Sequence, residues 1–240
     1  MPIDDYLSKL QGFSVKPKRV NIKIKHTNLE DLDRYIILEG RIHGSYSYPD
    51  LLVSLQKCHF GLTWEESQLE LLNDNSIMLT IRQYVDFLNL LYSDRAFTGN
   101  GKRINNSRAK RIFHNITSAN YTFEGEWLDA KFKIIDNTLK INHTHKILNE
   151  QLNPLSSEEI ENPNNPNDKI ISISLMEWLL FADIYGLPKL FKNEGNFYYF
   201  PPVHNSVACF ESSTFCRGVH CNYDLGAVNA GLGVRPSFIK

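Results

Sequence analysis

An α+β fold in one large domain is what this chain predicts, and three observations carry that expectation. Two well-bounded amphipathic helices lie far apart in the sequence, a hairpin pattern falls between them, and the remaining strand candidates never settle into a βαβ repeat. With 240 residues and 42% hydrophobic content, the chain can bury one substantial core.

The N-terminal "MPIDDYLSKLQGF" has early acids and no long apolar run, so it reads as no ordinary secretory signal, and cytoplasmic synthesis is expected. Residues 1–19 read as an extension ahead of a single domain over 20–240. Lys16, Lys18, Arg19, Lys23 and Lys25 form a basic run, but Val20, Ile22 and Ile24 alternate with the charges. That pattern predicts a solvated edge strand rather than a phosphate-binding arm. "RYIILEGRI" is the next strand candidate, and "YPDLLVSLQKCHFGLTWEESQLELL" is assigned to the same domain.

The first predicted helix is "TIRQYVDFLNLLYSD". Thr80 and Gln83 form a capping-box pattern, and Ile81, Tyr84, Val85, Leu88 and Leu91 recur on one face. "DRAFTGNGKRINNSRAK", Asp94 to Lys110, reads as a surface loop; Gly99 and Gly101 lack the frame and the Lys-Ser/Thr ending of a P-loop. "KFKIIDNTLKIN" alternates Phe132 and Ile134, then Leu139 and Ile141, about Asp136-Asn137, which predicts a hairpin. "NPLSSEEIENPNNPND" reads as an Asn/Pro-rich connector. Its stretch Glu161 to Asp168 offers oxygen ligands of the kind calcium accepts, though such loops commonly hold no ion.

The second predicted helix is "SLMEWLLFADIYGLP". Ser174 and Glu177 signal its start, Leu175, Trp178, Leu179 and Ala182 line a stripe, and Gly186 and Pro188 signal its stop. Trp178 on that stripe is expected in the core. "NFYYFPP" is a further strand candidate.

A formal net charge of -1 and a pI near 6.7 give no electrostatic case for nucleic acid or a membrane surface. No apolar run is long enough to span a bilayer, so no membrane insertion is expected. Cys58, Cys209, Cys216 and Cys221 are too few for a disulfide framework. With His204 and His220 nearby, zinc has to be weighed, but the spacing of the last three cysteines fits no common zinc pattern.

The segment "CRGVHCNYDLGAVN", Cys216 to Asn229, has neither the period of a strand nor that of a helix. Orderly runs bracket it, "NSVACF" before and "LGVRPSF" after. Together with "EWLDAKFKI", "LMEWLLFADIYGLP" and "NFYYFPP", this bracket resembles the variable proteins of diversity-generating retroelements, over at least Glu126 to Lys240. The resemblance implies a C-type-lectin-like fold of the formylglycine-generating-enzyme subclass, with two main helices and short antiparallel strands. It implies an archaeal or phage source and a C-terminal variable region at about 205–235. It further implies that asparagine codons in that region are rewritten by an error-prone reverse transcriptase that misreads adenines, which cannot produce Lys, Glu, Gln, Trp or Met.

Those five types make up 41 of the 240 residues, yet none occurs in Ser212 to Gly231. By chance such a window arises roughly 2% of the time at this composition. Randomised side chains are tolerated only where they do not enter the core, because a misfit buried group costs several kcal/mol. Phe215, His220, Asn222, Tyr223, Asp224, Leu225, Val228 and Asn229 are therefore expected to face a ligand, in an aromatic and amide mixture like that of an antibody paratope.

Val207, Ala208, Phe210, Leu232, Val234 and Phe238 are expected to be buried as strands, and Gly233 and Arg235 belong to the matching ending, the arginine in a structural role. The expected function is recognition of a protein or surface-molecule target by a monomer, with no catalysis and no cofactor. Two alternatives use the same segment: an oxidase of the formylglycine-generating type acting through C-terminal cysteines, and a calcium-dependent lectin using Asn222, Asp224 and Asn229.

Overall fold

A computed structural model of the chain describes residues 32–118, 124–160, 170–189, 195–214 and 216–240. The basic strand candidate over 18–26, the 1–19 extension and the Glu161–Asp168 oxygen cluster lie outside the described residues, as does Phe215. The elements confirm the α+β expectation. No described helix is long and apolar enough to cross a membrane.

Strands β1 (Tyr35–Leu38), β2 (Arg41–His43), β3 (Tyr46–Tyr48) and β4 (Leu51–Ser54) come first. Helix α1 (Trp64–Asn73) follows, then α2 (Ile81–Tyr92) and α3 (Asn106–Thr117). In α2 the Thr80 side chain accepts from the Gln83 N–H while the Gln83 side chain accepts from the Thr80 N–H, the reciprocal cap the sequence predicts. Helices α1 and α3 were not anticipated. Thr63 and Glu66 form a second complete capping box at the start of α1, and Asn105 caps α3 by accepting from the Arg108 N–H at 2.8 Å. The loop expected over Asp94 to Lys110 therefore gives way to helix at Asn106.

The long strands β5 (Gly125–Ile135) and β6 (Thr138–Leu148) form the predicted hairpin. Asp136 and Asn137 both have positive φ, 51° and 61°. That is the backbone a two-residue turn between right-twisted strands requires, and Asn and Asp tolerate it better than most residues. Next comes β7 (Gln151–Glu159), which pairs with β6 along its length and overturns the connector expected from Asn153 onward. Pro154 misled that expectation, since proline cannot serve a central ladder. β7 is the edge of its sheet, where one missing donor is tolerated.

After β8 (Ile171–Ile173), helix α4 (Leu175–Phe181) starts where expected but stops at Phe181, five residues short of Gly186. Ser174 makes no side-chain cap there. Trp178 and Leu179 are buried, and the Trp178 indole N–H donates to the Gly186 carbonyl at 2.8 Å.

Strands β9 (Phe197–Phe200), β10 (Ser206–Ser212), β11 (Arg217–Asp224), β12 (Leu232–Gly233) and β13 (Ser237–Ile239) close the chain. The main sheet runs β7-β6-β5-β10-β11-β9-β8, with β12 added beside β5, while β13 returns to pair with β4 in a sheet ordered β1-β4-β13. Two clusters of buried side chains result. The larger extends from Ile36 to Cys221 and includes α2, α4 and the inner face of the main sheet. The smaller gathers Trp64, Leu71, Met78, Trp127, Val207, Cys209, Leu232 and Val234 on the other face.

Candidate functional site

Strand β10 is buried along its whole length, and its two faces serve different cores. Because successive side chains of a strand point to opposite faces, Ala208 and Phe210 enter the larger cluster while Val207 and Cys209 enter the smaller one. Glu211 continues the Val207 and Cys209 row. In the β10–β11 register Cys209 lies opposite His220 and Glu211 opposite Gly218, so Glu211 and His220 are diagonal neighbours on one face. Gly218 is required here: a Cβ at this position would meet the Tyr198 carbonyl oxygen of neighbouring β9 at 2.2 Å.

Three polar side chains converge at this end of the hairpin. His220 Nε2 is 3.4 Å from Glu211 Oε2 and 3.5 Å from Cys216 Sγ. The hydroxyl of Ser213 donates to Glu211 Oε1 at 2.8 Å, which leaves Oε2 turned to the histidine. The His220 ring is stacked on Phe200, centroids 3.9 Å apart and 11° from parallel. Among the described residues, the ligand atoms of Glu211, Cys216 and His220 all lie within 4.8 Å of one another.

Burial sets the protonation of all three. It raises the Glu211 carboxyl, against the Ser213 hydrogen bond, and it lowers His220 to about 4. It also raises the Cys216 thiol to about 11, with the nearby Glu211 adding to the effect. Burial thus shifts each group toward its uncharged form. A nucleophilic cysteine needs the opposite shift. A cysteine–histidine–acid relay also needs the thiol and the acid on different ring nitrogens, whereas here both approach Nε2. The four cysteines are free thiols.

His220 is 6% exposed, which corrects the expectation that it faces a ligand. Its burial follows from the register, since β11 is flanked by β10 on one side and by β9, in parallel, on the other. Ser212, Ser213 and Gly218 to Cys221 are likewise buried, so only part of the window from Ser212 to Gly231 offers a free surface. Thr214 is exposed and Cys216 and Arg217 are half-buried, while the longer accessible stretch begins at Asn222.

From Asn222 to Ala230 exposure alternates strictly. Asn222, Asp224, Gly226, Val228 and Ala230 are exposed, while Tyr223, Leu225, Ala227 and Asn229 are half-buried. Tyr223, Leu225 and Ala227 pack against the smaller core, and Tyr223 meets Trp127 edge-on at 5.3 Å. Asp224 Oδ1 accepts from the Gly226 N–H at 2.7 Å, and Asn229 Oδ1 accepts from the Gly231 N–H at 2.9 Å. These two side chains shape the loop by bonding to backbone two residues on. Among the described residues of the expected ligand-facing set, Asn222 and Val228 are the ones both accessible and free of such duties, with Val228 61% exposed.

The framework around the segment matches most of the expectation made for the bracket. Val207, Ala208, Phe210, Leu232 and Val234 are buried, Val234 in an isolated bridge to Cys58 just past β12, while Phe238 is only half-buried. Arg235 is 4% exposed and makes a bidentate pair with Glu126. The residue that sequence reasoning missed is Glu211. Its signal was an acid inside the otherwise small or apolar run "SVACFES", since a charge is rarely fully buried without a partner. No family model, no curated protein and no solved structure matches the chain.

Proposed function

We propose that this chain is a target-binding protein whose C-type-lectin-like framework displays a diversified surface between Asn222 and Ala230. The observation that carries this reading is the alternation of exposure across a segment whose sequence has no hydrophobic period. Half-buried side chains anchor the segment to the smaller core; between them, every second position projects into solvent, where its chemistry is free to change. The absence of Lys, Glu, Gln, Trp and Met from Ser212 to Gly231 supports the same reading. The target is a protein or surface molecule, bound without catalysis through a modest patch in which the accessible part of Tyr223 supplies the aromatic contact and Asn222 and Val228 supply variable chemistry.

Two measurements test it. Asn222→Ala and Val228→Ala are each expected to change unfolding free energy by less than about 0.5 kcal/mol, as surface substitutions do. Tyr223→Ala removes a core contact and is expected to cost more than either. If Asn222→Ala or Val228→Ala unfolds the protein, the division between anchor and display positions fails. Sequencing the DNA beside the gene is the second test: a near-copy of the final coding segment, differing at adenines and accompanied by a reverse transcriptase gene, is the expected result. An isolated gene without such a copy overturns the diversification reading.

A further inference from the structure

From the convergence of their side chains, we infer that Glu211, Cys216 and His220 form a binding site for a zinc-class divalent transition-metal ion. The inference stands apart from the recognition reading, because it concerns the buried hairpin end rather than the displayed loop.

The distances are those of a coordination polyhedron. With Zn–S near 2.3 Å and Zn–N and Zn–O near 2.0–2.1 Å, tetrahedral ligands sit about 3.6 Å apart for S and N and about 3.4 Å apart for N and O. Cys216 Sγ and His220 Nε2 are 3.5 Å apart, and His220 Nε2 and Glu211 Oε2 are 3.4 Å apart. Both partners approach the same ring nitrogen, and all three ligand atoms lie within 4.8 Å of one another, a cluster rather than a line along which a proton could pass. A soft sulfur, an imidazole and one carboxylate suit zinc or its neighbours in the transition series and do not suit calcium or magnesium, which take oxygen sets.

The surroundings hold the ligands in place. Ser213 fixes one carboxylate oxygen and thereby presents the other, as second-layer hydrogen bonds commonly do around metals. Phe200 fixes the plane of the imidazole. Cys216 is the half-buried member of the set, while Glu211 and His220 are buried. Three protein ligands leave a fourth position for water or for a donor from a bound partner. The pattern escaped the zinc motifs because its ligands are spaced E-x4-C-x3-H, with the first on the preceding strand.

The test uses the full-length, untagged protein, freed of metal by a chelator and titrated with cobalt(II) and then with zinc(II) against a chromogenic zinc indicator. The expected result is one ion per chain, a thiolate-to-cobalt absorption band in the near ultraviolet, and displacement of cobalt by zinc. Cys216→Ser should abolish the band. His220→Gln and Glu211→Gln should each weaken binding by more than about tenfold, while Cys58→Ser leaves both band and affinity unchanged. Circular dichroism and melting of each metal-free variant establish that it folds. A folded Cys216→Ser protein that keeps the band, or a wild-type protein that binds neither ion, overturns the assignment. Target binding by a metal-free protein bears on the recognition reading alone.

Discussion

Arg235→Ala is expected to lower the unfolding free energy by ~3–5 kcal/mol, the usual cost of stripping one partner from a buried ion pair. The Arg235 guanidinium donates through Nε to Glu126 Oε2 at 2.9 Å and through Nη2 to Glu126 Oε1. Its third nitrogen donates to the Ser54 carbonyl at 2.9 Å, and the group lies 5.4 Å from the Phe87 ring centroid. Burial works against the charge on Arg235, but the Glu126 carboxylate outweighs it and holds the guanidinium protonated above its ordinary range. Remove the cation, and among the described residues a carboxylate 3% exposed keeps only the Tyr84 hydroxyl at 3.3 Å.

The measurement is urea denaturation of wild type, Arg235→Ala, Glu126→Leu and the Arg235→Met/Glu126→Leu double variant. Because well-packed apolar replacements of a whole buried pair are often nearly neutral, the double variant should be distinctly more stable than either single one. A cost under about 1 kcal/mol for Arg235→Ala would show that the pair does not join the chain's last segment to the rest. That joining role follows from where the partners sit: Ser54 ends β4, Glu126 lies in β5, and Phe87 lies on α2. One side chain ties the three-stranded and eight-stranded sheets to helix α2.

Elements with a clear apolar period were legible in the sequence. Helix α2 has a polar cap and an apolar stripe, although Arg82, Gln83, Asp86 and Phe87 off that stripe are buried as well, and the β5–β6 hairpin alternates about a turn whose residues suit positive φ, so each pattern points to one structure. Where apolar residues fill both faces of a strand, or where a helix buries polar groups in place of an apolar stripe, the pattern is lost. Strand β10 shows no alternation because both its faces meet a core.

Helix α1 buries Ser67 and Gln68 beside Trp64 and Leu71. Its polar face is satisfied by partners distant in sequence: Gln68 Nε2 donates to Asp129 Oδ1 at 2.9 Å. No apolar period records such a helix; its sequence signal is the Thr63–Glu66 spacing of a capping box. The candidate site divides in the same way. The exposed stretch from Asn222 onward has no hydrophobic period in the sequence, and the burial of His220 depends on the pairing of β11 with β9, a parallel contact between segments about 20 residues apart in the sequence.

Asp86→Ala is expected to cost a further ~3–5 kcal/mol, for the converse reason: a buried anion organises the cations and the hydroxyl around it. Asp86 is 1% exposed. Its Oδ2 accepts from the Tyr48 hydroxyl at 2.6 Å and lies 2.8 Å from His43 Nε2. Its Oδ1 accepts from Arg82 at 2.8 Å and from Arg41 at 3.2 Å. The carboxylate therefore fastens the β2–β3 hairpin to helix α2, and without it the Arg82 charge stays buried with only backbone carbonyls of Ala182 and Asp183 as partners.

The same geometry fixes the pH dependence. Burial pushes the Asp86 carboxyl upward, but His43, Arg82, Arg41 and Tyr48 together outweigh it and leave the group below its ordinary range. The unfolded chain then takes up this proton near the usual value of about 3.9, while the native protein resists until lower pH. Asp86 thus contributes its full stabilisation above that value and loses it as the solution becomes more acidic. Urea midpoints of wild type and Asp86→Asn, compared from neutral pH downward, should differ by a constant amount until about pH 4 and converge below it. A difference that persists undiminished into strong acid would mean that the cost of the substitution is steric, and that the anion at the centre of this cluster does not hold it together.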